Sequence, residues 1–340
     1  MTGRTTLRQV AERAGVAIGT ASAVFADKSW VSEQVRTAVR AAAEELGYQP
    51  RPRRPEHGDV TDLGFLATVD ETFSVANPYF ARVLHGAQQA CAERGIALHY
   101  EVVDPDSGRL PLCVQRRQVS GVLVLGHDID RAYLERVVER RVPCVLLEHA
   151  PVDLPVDHVR HDDERGGHLA GRHLLALPGT PRTPGLITGE AKVSPVGDRT
   201  RGFRRALEEA GVTLDPAHVR SGTLDVASGM RCMNELLALP DPPSAVFCAN
   251  DETAFGALEA VRARGLRVPE DIAVMGYDDV PQAEHTDPPL TTIATGKELI
   301  GTQAVWHLLE RLRHPDLVTR DTRLGVRLVE RASTTGTASC

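Results

Sequence analysis

The sequence predicts an α/β protein: two lobes, each a doubly wound parallel sheet, behind an N-terminal helix-turn-helix head. Three observations carry this reading. From Leu63 onward, short apolar runs alternate with helical stretches, the pattern of βα units whose parallel strands are covered on both faces. The alternation comes in two sets, and 340 residues suit about two domains plus a small module. Residues 6–50, by contrast, hold closely spaced amphipathic helical segments.

In the head, Leu7, Val10, Ala11 and Ala14 recur at helical spacing and give a first helix one apolar face. Gly15 follows, where a chain leaving a helix favours a left-handed residue. A second helix runs from about Ile18 to Phe25 with Ala21 and Val24 inward, and small Ala11 and Ala21 let the two helices approach closely. Ser32 caps a third helix with the inner stripe Val35, Val39, Ala42 and Leu46, and Gly47 stops it. Two short helices across a tight turn can place the second in a DNA major groove. Thr6, Ala17, Ile18, Gly19, Thr20 and Ser22 are therefore the candidate DNA contacts. Thr20 and Ser22 can bond phosphates or base edges, Ile18 can touch a thymine methyl, and Gly19 lets the helix come close.

The next stretch, residues 50–61, reads PRPRRPEHGDVT. Pro50, Pro52 and Pro55 disfavour a helix and favour extended polyproline backbone. Arg51, Arg53 and Arg54 form either an arm in a narrow, A·T-rich minor groove or a basic tether that contacts phosphates.

In the body, Leu63–Thr68, Ala97–Val103, Gly121–Leu125 and Cys144–Glu148 read as buried strands, with helices at Tyr79–Arg94 and Ala132–Arg140. A second set has strands at Leu186–Thr188, Ala245–Ala249 and Ile272–Gly276. Its helices are Glu164–Leu177, Arg199–Ala210, Ser228–Leu239 and Asp251–Arg264. Asp251, and Asp162 or Asp163, stand where helix N-caps belong. Ligands of such folds bind beyond the carboxyl ends of the strands. Glu148, Asn250 and Asp278 fall at such ends, and Arg199 opens the helix after Leu186–Thr188. Carboxylates, an amide and a guanidinium suit vicinal hydroxyls. Tyr79 and Phe80 offer an aromatic wall, or pack as ordinary core.

Net charge is −7, against a general nucleic-acid binder, but its distribution is uneven. Residues 1–55 hold nine Lys/Arg and five Asp/Glu, a balance of +4, which leaves −11 for the rest. A basic head would face DNA and an acidic body would turn away from it. No apolar run reaches membrane-spanning length and the N-terminus lacks the apolar stretch of a secretory signal, so the expected location is the cytoplasm. Cys91, Cys113, Cys144, Cys232, Cys248 and Cys340 form no CxxC pair and read as reduced, mostly buried cysteines. No GxGxxG follows a strand, and there is no GxSxG or GxxxxGK, so neither an enzyme nor a cofactor is expected. His149, His158, His161, His168 and His173 do not match a zinc spacing, and no metal is expected.

The head sequence Thr6–Pro50 resembles the lactose-repressor (LacI/GalR-type) family of bacterial transcription regulators. Collinear signatures continue through Tyr48–Pro50, Asn77–Phe80, Arg199–Phe203, Val246–Asp251, Val274–Asp278 and Pro289–Ile293. The resemblance implies a periplasmic-binding-protein-like effector body, with crossings between lobes near residues 161, 291 and 322 and a strand at Val326–Ser333 returning to the second lobe. It divides the chain into a head (1–48), a hinge or tether (49–61) and a body (62–340). Lobe 1 would hold about 62–160 and 292–322, and lobe 2 about 161–291 and 323–338. It implies that Tyr79, Phe80, Glu148, Arg199, Asn250 and Asp278 line the effector pocket, with Leu224, at an often aromatic position, favouring a sugar-like effector over a stacked base. Its partners would be a double-stranded DNA operator, a small-molecule effector and a second copy of the chain. A tail without a leucine heptad argues against a tetramerising helix. Two departures stand out. The linker lacks the leucine that the family's paired hinge helices wedge into the minor groove. Ile18, Gly19 and Ala23 replace polar residues and an arginine, which implies unusual readout, or a ligand-binding regulator that acts through partners.

Overall fold

A computed structural model describes residues 6–25, 31–46, 48, 60–68, 77–126, 129, 131–178, 183–189 and 194–335. The candidate DNA contacts Arg51, Arg53 and Arg54 lie outside these, as do Gly47 and Cys340. The chain divides into two compact units, Met1–Glu56 and His57–Cys340.

The first unit contains three helices: α1 (Leu7–Arg13), α2 (Ile18–Phe25) and α3 (Glu33–Glu45). Val10, Ala11, Ala21, Val24, Val39 and Ala42 form its core, with Leu7, Ala14, Val35 and Leu46 packed around them. Gly15 takes φ +68°, the left-handed turn that ends α1. The Gln9 side-chain carbonyl accepts from the Thr6 backbone N–H at 2.8 Å, fixing the start of α1. Ser32 occupies the N-cap of α3, where its carbonyl accepts from Val35 and Arg36.

In the second unit, the first sheet runs β1 (Asp62–Thr68), β2 (Ala97–Val103), β3 (Val122–Leu125), β4 (Cys144–Leu147), β5 (Asp157–His161) and β11 (Asp321–Leu324), in the order β11-β5-β4-β3-β1-β2 and parallel throughout. Helices α4 (Pro78–Ala92) and α11 (Lys297–Arg313) cover one face, and α6 (Arg131–Glu139), with short α5 (Leu112–Gln115), covers the other. Period-two alternation does the sorting: Leu63 and Phe65 pack toward α4 and α11, while Leu66 and Val122 pack toward α6.

The second sheet is β7-β6-β8-β9, again parallel: β6 (Pro184–Thr188), β7 (Val219–Ser221), β8 (Ala245–Cys248) and β9 (Ala273–Met275). Helices α7 (Asp163–Leu175) and α8 (Ser194–Glu209) pack on one face, and α9 (Val226–Leu237) and α10 (Asp251–Ala263) on the other. The α7–α8 contact is so close that a Cβ on Gly202 would sit 1.8 Å from the Glu164 carbonyl oxygen.

An antiparallel ribbon of β10 (Thr292–Ala294) and β12 (Arg327–Val329) extends this sheet, through bridges Met275–Thr291 and Asp278–Ala294. The return to the first sheet therefore falls at Thr295–Gly296, a few residues beyond the expected 291, because the Asp278–Ala294 bridge still holds β10 to the second sheet. The expected strand at Val326–Ser333 covers only Arg327–Val329, and α12 (Ala332–Thr335) follows. Three short passages thus join the sheets: after β5, between β10 and α11, and between β11 and β12.

Candidate functional site

One cavity is lined by Tyr79, Phe80 and Glu148 from the first sheet's side and by Arg199, Asn250 and Asp278 from the second's. The six residues expected from strand ends and from resemblance thus come together, with Asn77, Leu125, Gly126, Pro195, Val196 and Leu224 completing the wall. Each reaches the cavity through a local device. Asn77 caps α4, its side chain accepting from Tyr79 N–H at 2.9 Å, so the two aromatic residues open that helix. Glu148 follows β4 at φ +54°, and Asp278 follows β9 at φ +110° with Asp279 at φ +58°. Left-handed backbone at non-glycine residues costs on the order of 1–3 kcal/mol and persists only where the surroundings impose it.

Those surroundings are charged. The Tyr79 hydroxyl donates to Glu148 Oε1 at 2.7 Å, and His161 Nδ1 meets the same oxygen. Burial pushes the Glu148 carboxyl up, but the His161 ring, the Tyr79 hydroxyl and Arg199 outweigh it and hold it below the usual carboxylate range. Burial alone would lower His161, yet Glu148 raises it above its ordinary value. Glu148 Oε2 is buried and has no hydrogen-bond partner among the described residues.

Arg199 stacks on Tyr277, its guanidinium carbon 3.8 Å from the ring centre. Its Nε donates to Asp163 at 2.8 Å and Nη1 to the Ala249 carbonyl at 2.7 Å, while Nη2 lies 3.4 Å from Asp278 Oδ1. Two of its five N–H donors are therefore hydrogen-bonded inside the protein. Asp278 Oδ1 is buried without a hydrogen bond among the described residues. Burial pushes the Asp278 carboxyl up to about 6, against Arg199 and Lys297, which pull it down. Asn250 is likewise engaged: its side-chain oxygen caps α10 by accepting from Thr253 N–H at 3.0 Å, and Nδ2 donates to the Leu224 carbonyl at 2.8 Å.

Asp251 is not the N-cap expected of it. That place belongs to Asn250, and the Asp251 carboxylate turns inward to accept from Thr292 Oγ1 at 2.6 Å and Val280 N–H at 2.9 Å. Burial, then the neighbouring Asp278, push its carboxyl up to about 8. Asp162, by contrast, does cap α7, and Asp163 pairs with Arg199.

Three site residues escaped sequence reasoning. His161 counted only among scattered histidines, and Asp163 only as a possible cap. Lys297 drew no notice, although its ammonium is buried and donates to the carbonyls of Asp278, Asp279 and Thr295. The other histidines disperse: His168 pairs with Glu209, His173 with Thr334, and His149 with backbone carbonyls. Cys91, Cys113, Cys144, Cys232 and Cys248 are free and buried.

In the head, Thr6, Ala17, Ile18, Gly19 and Ser22 are exposed and Thr20 is half-buried, while Ala23 joins the core. Ile18 remains 43% exposed, and nothing lies within 4 Å of a Cβ placed on Gly19.

A helix-turn-helix head and a two-lobed α/β body with a cavity between the lobes define a class, the ligand-binding regulators of transcription. Comparison with known proteins agrees. Residues 6–51 match the bacterial regulatory proteins of the lacI family, and residues 159–334 the periplasmic binding protein-like domain. The HTH-type transcriptional repressor PurR of Haemophilus influenzae (strain PittEE) is 33% identical over 317 residues, 92% of each chain. A transcriptional regulator CelR–cellobiose complex is 32% identical with a TM-score of 0.71, over 97% of this chain and 100% of that one. The lac repressor dimer bound to operator and the anti-inducer ONPF is 26% identical with a TM-score of 0.71, over 98% and 100%. The chain belongs to the lacI family of bacterial regulatory proteins and is a DNA-binding transcription regulator. No helix among its described residues is long and apolar enough to cross a membrane.

Proposed function

We propose that this regulator is a repressor that acts in the cytoplasm as a homodimer on a near-palindromic operator, and that a small polyhydroxyl, sugar-like effector binds between its lobes without being chemically changed. One observation carries the effector assignment. Glu148 and Asp278, from opposite lobes, line one cavity, and each has a buried carboxylate oxygen, Oε2 and Oδ1, without a hydrogen-bond partner among the described residues, Oδ1 lying 3.4 Å from Arg199 Nη2. Both atoms are acceptors, so their unmet capacity calls for a ligand that donates. Hydroxyls do so, whereas a phosphate or carboxylate oxygen does not. Phe80, Leu125, Pro195, Val196 and Leu224 supply apolar walls for the faces of a sugar ring. Asp251, engaged elsewhere, is no part of this set. A ligand that bridges Glu148 and Asp278 biases the two lobes toward one arrangement, and a coupling of about 1.4–2.8 kcal/mol suffices for a 10–100-fold change in operator affinity.

The relatives support this reading: one is a complex with cellobiose, and another is a dimer on its operator. Two heads held by one dimer would meet two half-sites of opposite polarity. The test is selection of genomic fragments by the full-length protein at about 0.1–0.15 M salt, since phosphate contacts make affinity salt-dependent. The selected site is then titrated in the presence of neutral mono- and disaccharides. Enrichment of one near-palindrome and a shift with at least one sugar support the proposal. No enriched sequence would mean a body that works through partners, and a response to phosphorylated sugars alone would overturn the effector class.

A further inference from the structure

At the start of α2, Ala17, Ile18, Gly19 and Ser22 are exposed and Thr20 is half-buried, and among these side chains there is no amide, carboxylate or guanidinium. Bidentate recognition of guanine needs arginine or lysine, and that of adenine needs asparagine or glutamine. Neither is available here. What the face offers is two hydroxyls, each able to make single bonds, and one large apolar side chain. Ile18 is the first residue of α2 and stays 43% exposed, and the space that a side chain at the neighbouring Gly19 would fill is open. In a B-form major groove the base-edge group that rewards apolar contact is the thymine 5-methyl.

We infer that Ile18 is a specificity-determining residue that reads a thymine methyl in each operator half-site, an apolar contact in place of the bidentate readout that these α2 side chains do not offer. Gly19 serves the contact by removing the side chain that would otherwise hold α2 away from the groove floor. The inference rests on the proposed reading of the head as an operator binder, and its test separates the two.

From the selected operator, each thymine is replaced in turn by uracil, which deletes only the 5-methyl group, and affinity is measured at fixed salt for the native protein and for Ile18→Ala. The native protein should lose about four-fold at one thymine per half-site, equivalent to the roughly 0.8 kcal/mol of one buried methyl, and about fifteen-fold when both half-sites are changed. Ile18→Ala, which alters an exposed side chain and leaves the head core intact, should bind the natural site more weakly and show no uracil effect at that position. At the same position, 5-methylcytosine paired with guanine should bind the native protein better than cytosine does. A uracil effect that survives unchanged in Ile18→Ala, or no uracil effect anywhere in an operator that is otherwise bound specifically, would overturn the inference and leave the operator reading standing. Failure to enrich any operator would overturn both.

Discussion

Arg199→Met tests whether the interlobe cluster is a set of buried carboxylates held in place by one cation. The guanidinium bonds Asp163 and the Ala249 carbonyl, approaches Asp278, and stacks on Tyr277. Methionine preserves much of the stem packing and removes the charge. Removing one partner of a buried pair costs about 3–5 kcal/mol, because the remaining charge is left uncompensated. Protonation can relieve that cost. Burial already pushes Asp163 upward and Asp278 to about 6, in each case against the pull of Arg199, so both rise further when the arginine goes. A carboxyl whose folded pKa exceeds its unfolded value, near 3.9, stabilises most at low pH and loses that contribution as pH rises through the folded pKa. The penalty should therefore grow with pH. We expect about 1–2 kcal/mol at pH 5 and the full 3–5 kcal/mol at pH 7.5, where Tm falls by roughly 10 °C. Urea and thermal unfolding of both proteins from pH 5 to 8 measure this. A penalty below about 1 kcal/mol throughout, or one equal at pH 5 and 7.5, would refute the reasoning. Adding Asp163→Asn to the variant should recover at least half of the loss at pH 7.5.

Three further outcomes follow from other contacts. Glu148→Gln removes the charge that lifts His161, so the ring should titrate at lower pH than in the native protein, read by NMR of its ring protons; an unmoved His161 contradicts the contact. Lys297→Met takes the buried ammonium from the Asp278 and Asp279 carbonyls and should cost about 2–3 kcal/mol and weaken effector binding ten-fold or more, while operator affinity without effector is unchanged. Gly202→Ala drives a Cβ to 1.8 Å from the Glu164 carbonyl and should cost at least about 3 kcal/mol or abolish soluble expression, whereas Gly19→Ala, with open space around it, should leave head stability equal or raise it by under about 1 kcal/mol.

Much of the site was legible from the sequence because its residues follow apolar strands. Glu148 ends the run Cys144–Leu147, and Asn250 follows Ala245–Cys248, so a reader who finds the strands finds these side chains. Asp251 was misread for a related reason. Next to Asn250 either residue has the chemistry of a cap, and only the approach of Thr292 and Val280 from elsewhere in the fold decides which side chain turns inward.

Strand β5 shows where local pattern stops. Its sequence, DHVRH, has a single apolar residue, and no search for hydrophobic runs finds it. Yet all five residues are buried, since Asp157 meets Arg311 at 2.8 Å, Arg160 meets Asp321 at 2.8 Å, and His161 meets Glu148. The pairing partners of Asp157 and Arg160 lie more than 150 positions away. His161 and Asp163, at and just after the end of that polar strand, and Lys297 stayed out of view because no apolar run marks them and their partners come from other segments: Glu148, Arg199 and the Asp278 carbonyl.

Hydrophobic periodicity is local and survives in one dimension, so the sequence by itself determined the helices of the head, the apolar strands, the family, and the residues at the strand ends. Burial of a charge depends on which opposite charge the folded chain delivers to it. The tertiary structure alone therefore decided that a polar strand sits inside the sheet, that Arg199 bonds Asp163 and the Ala249 carbonyl, and that Glu148 and Asp278 from opposite lobes line one cavity, each with a buried carboxylate oxygen unbonded among the described residues.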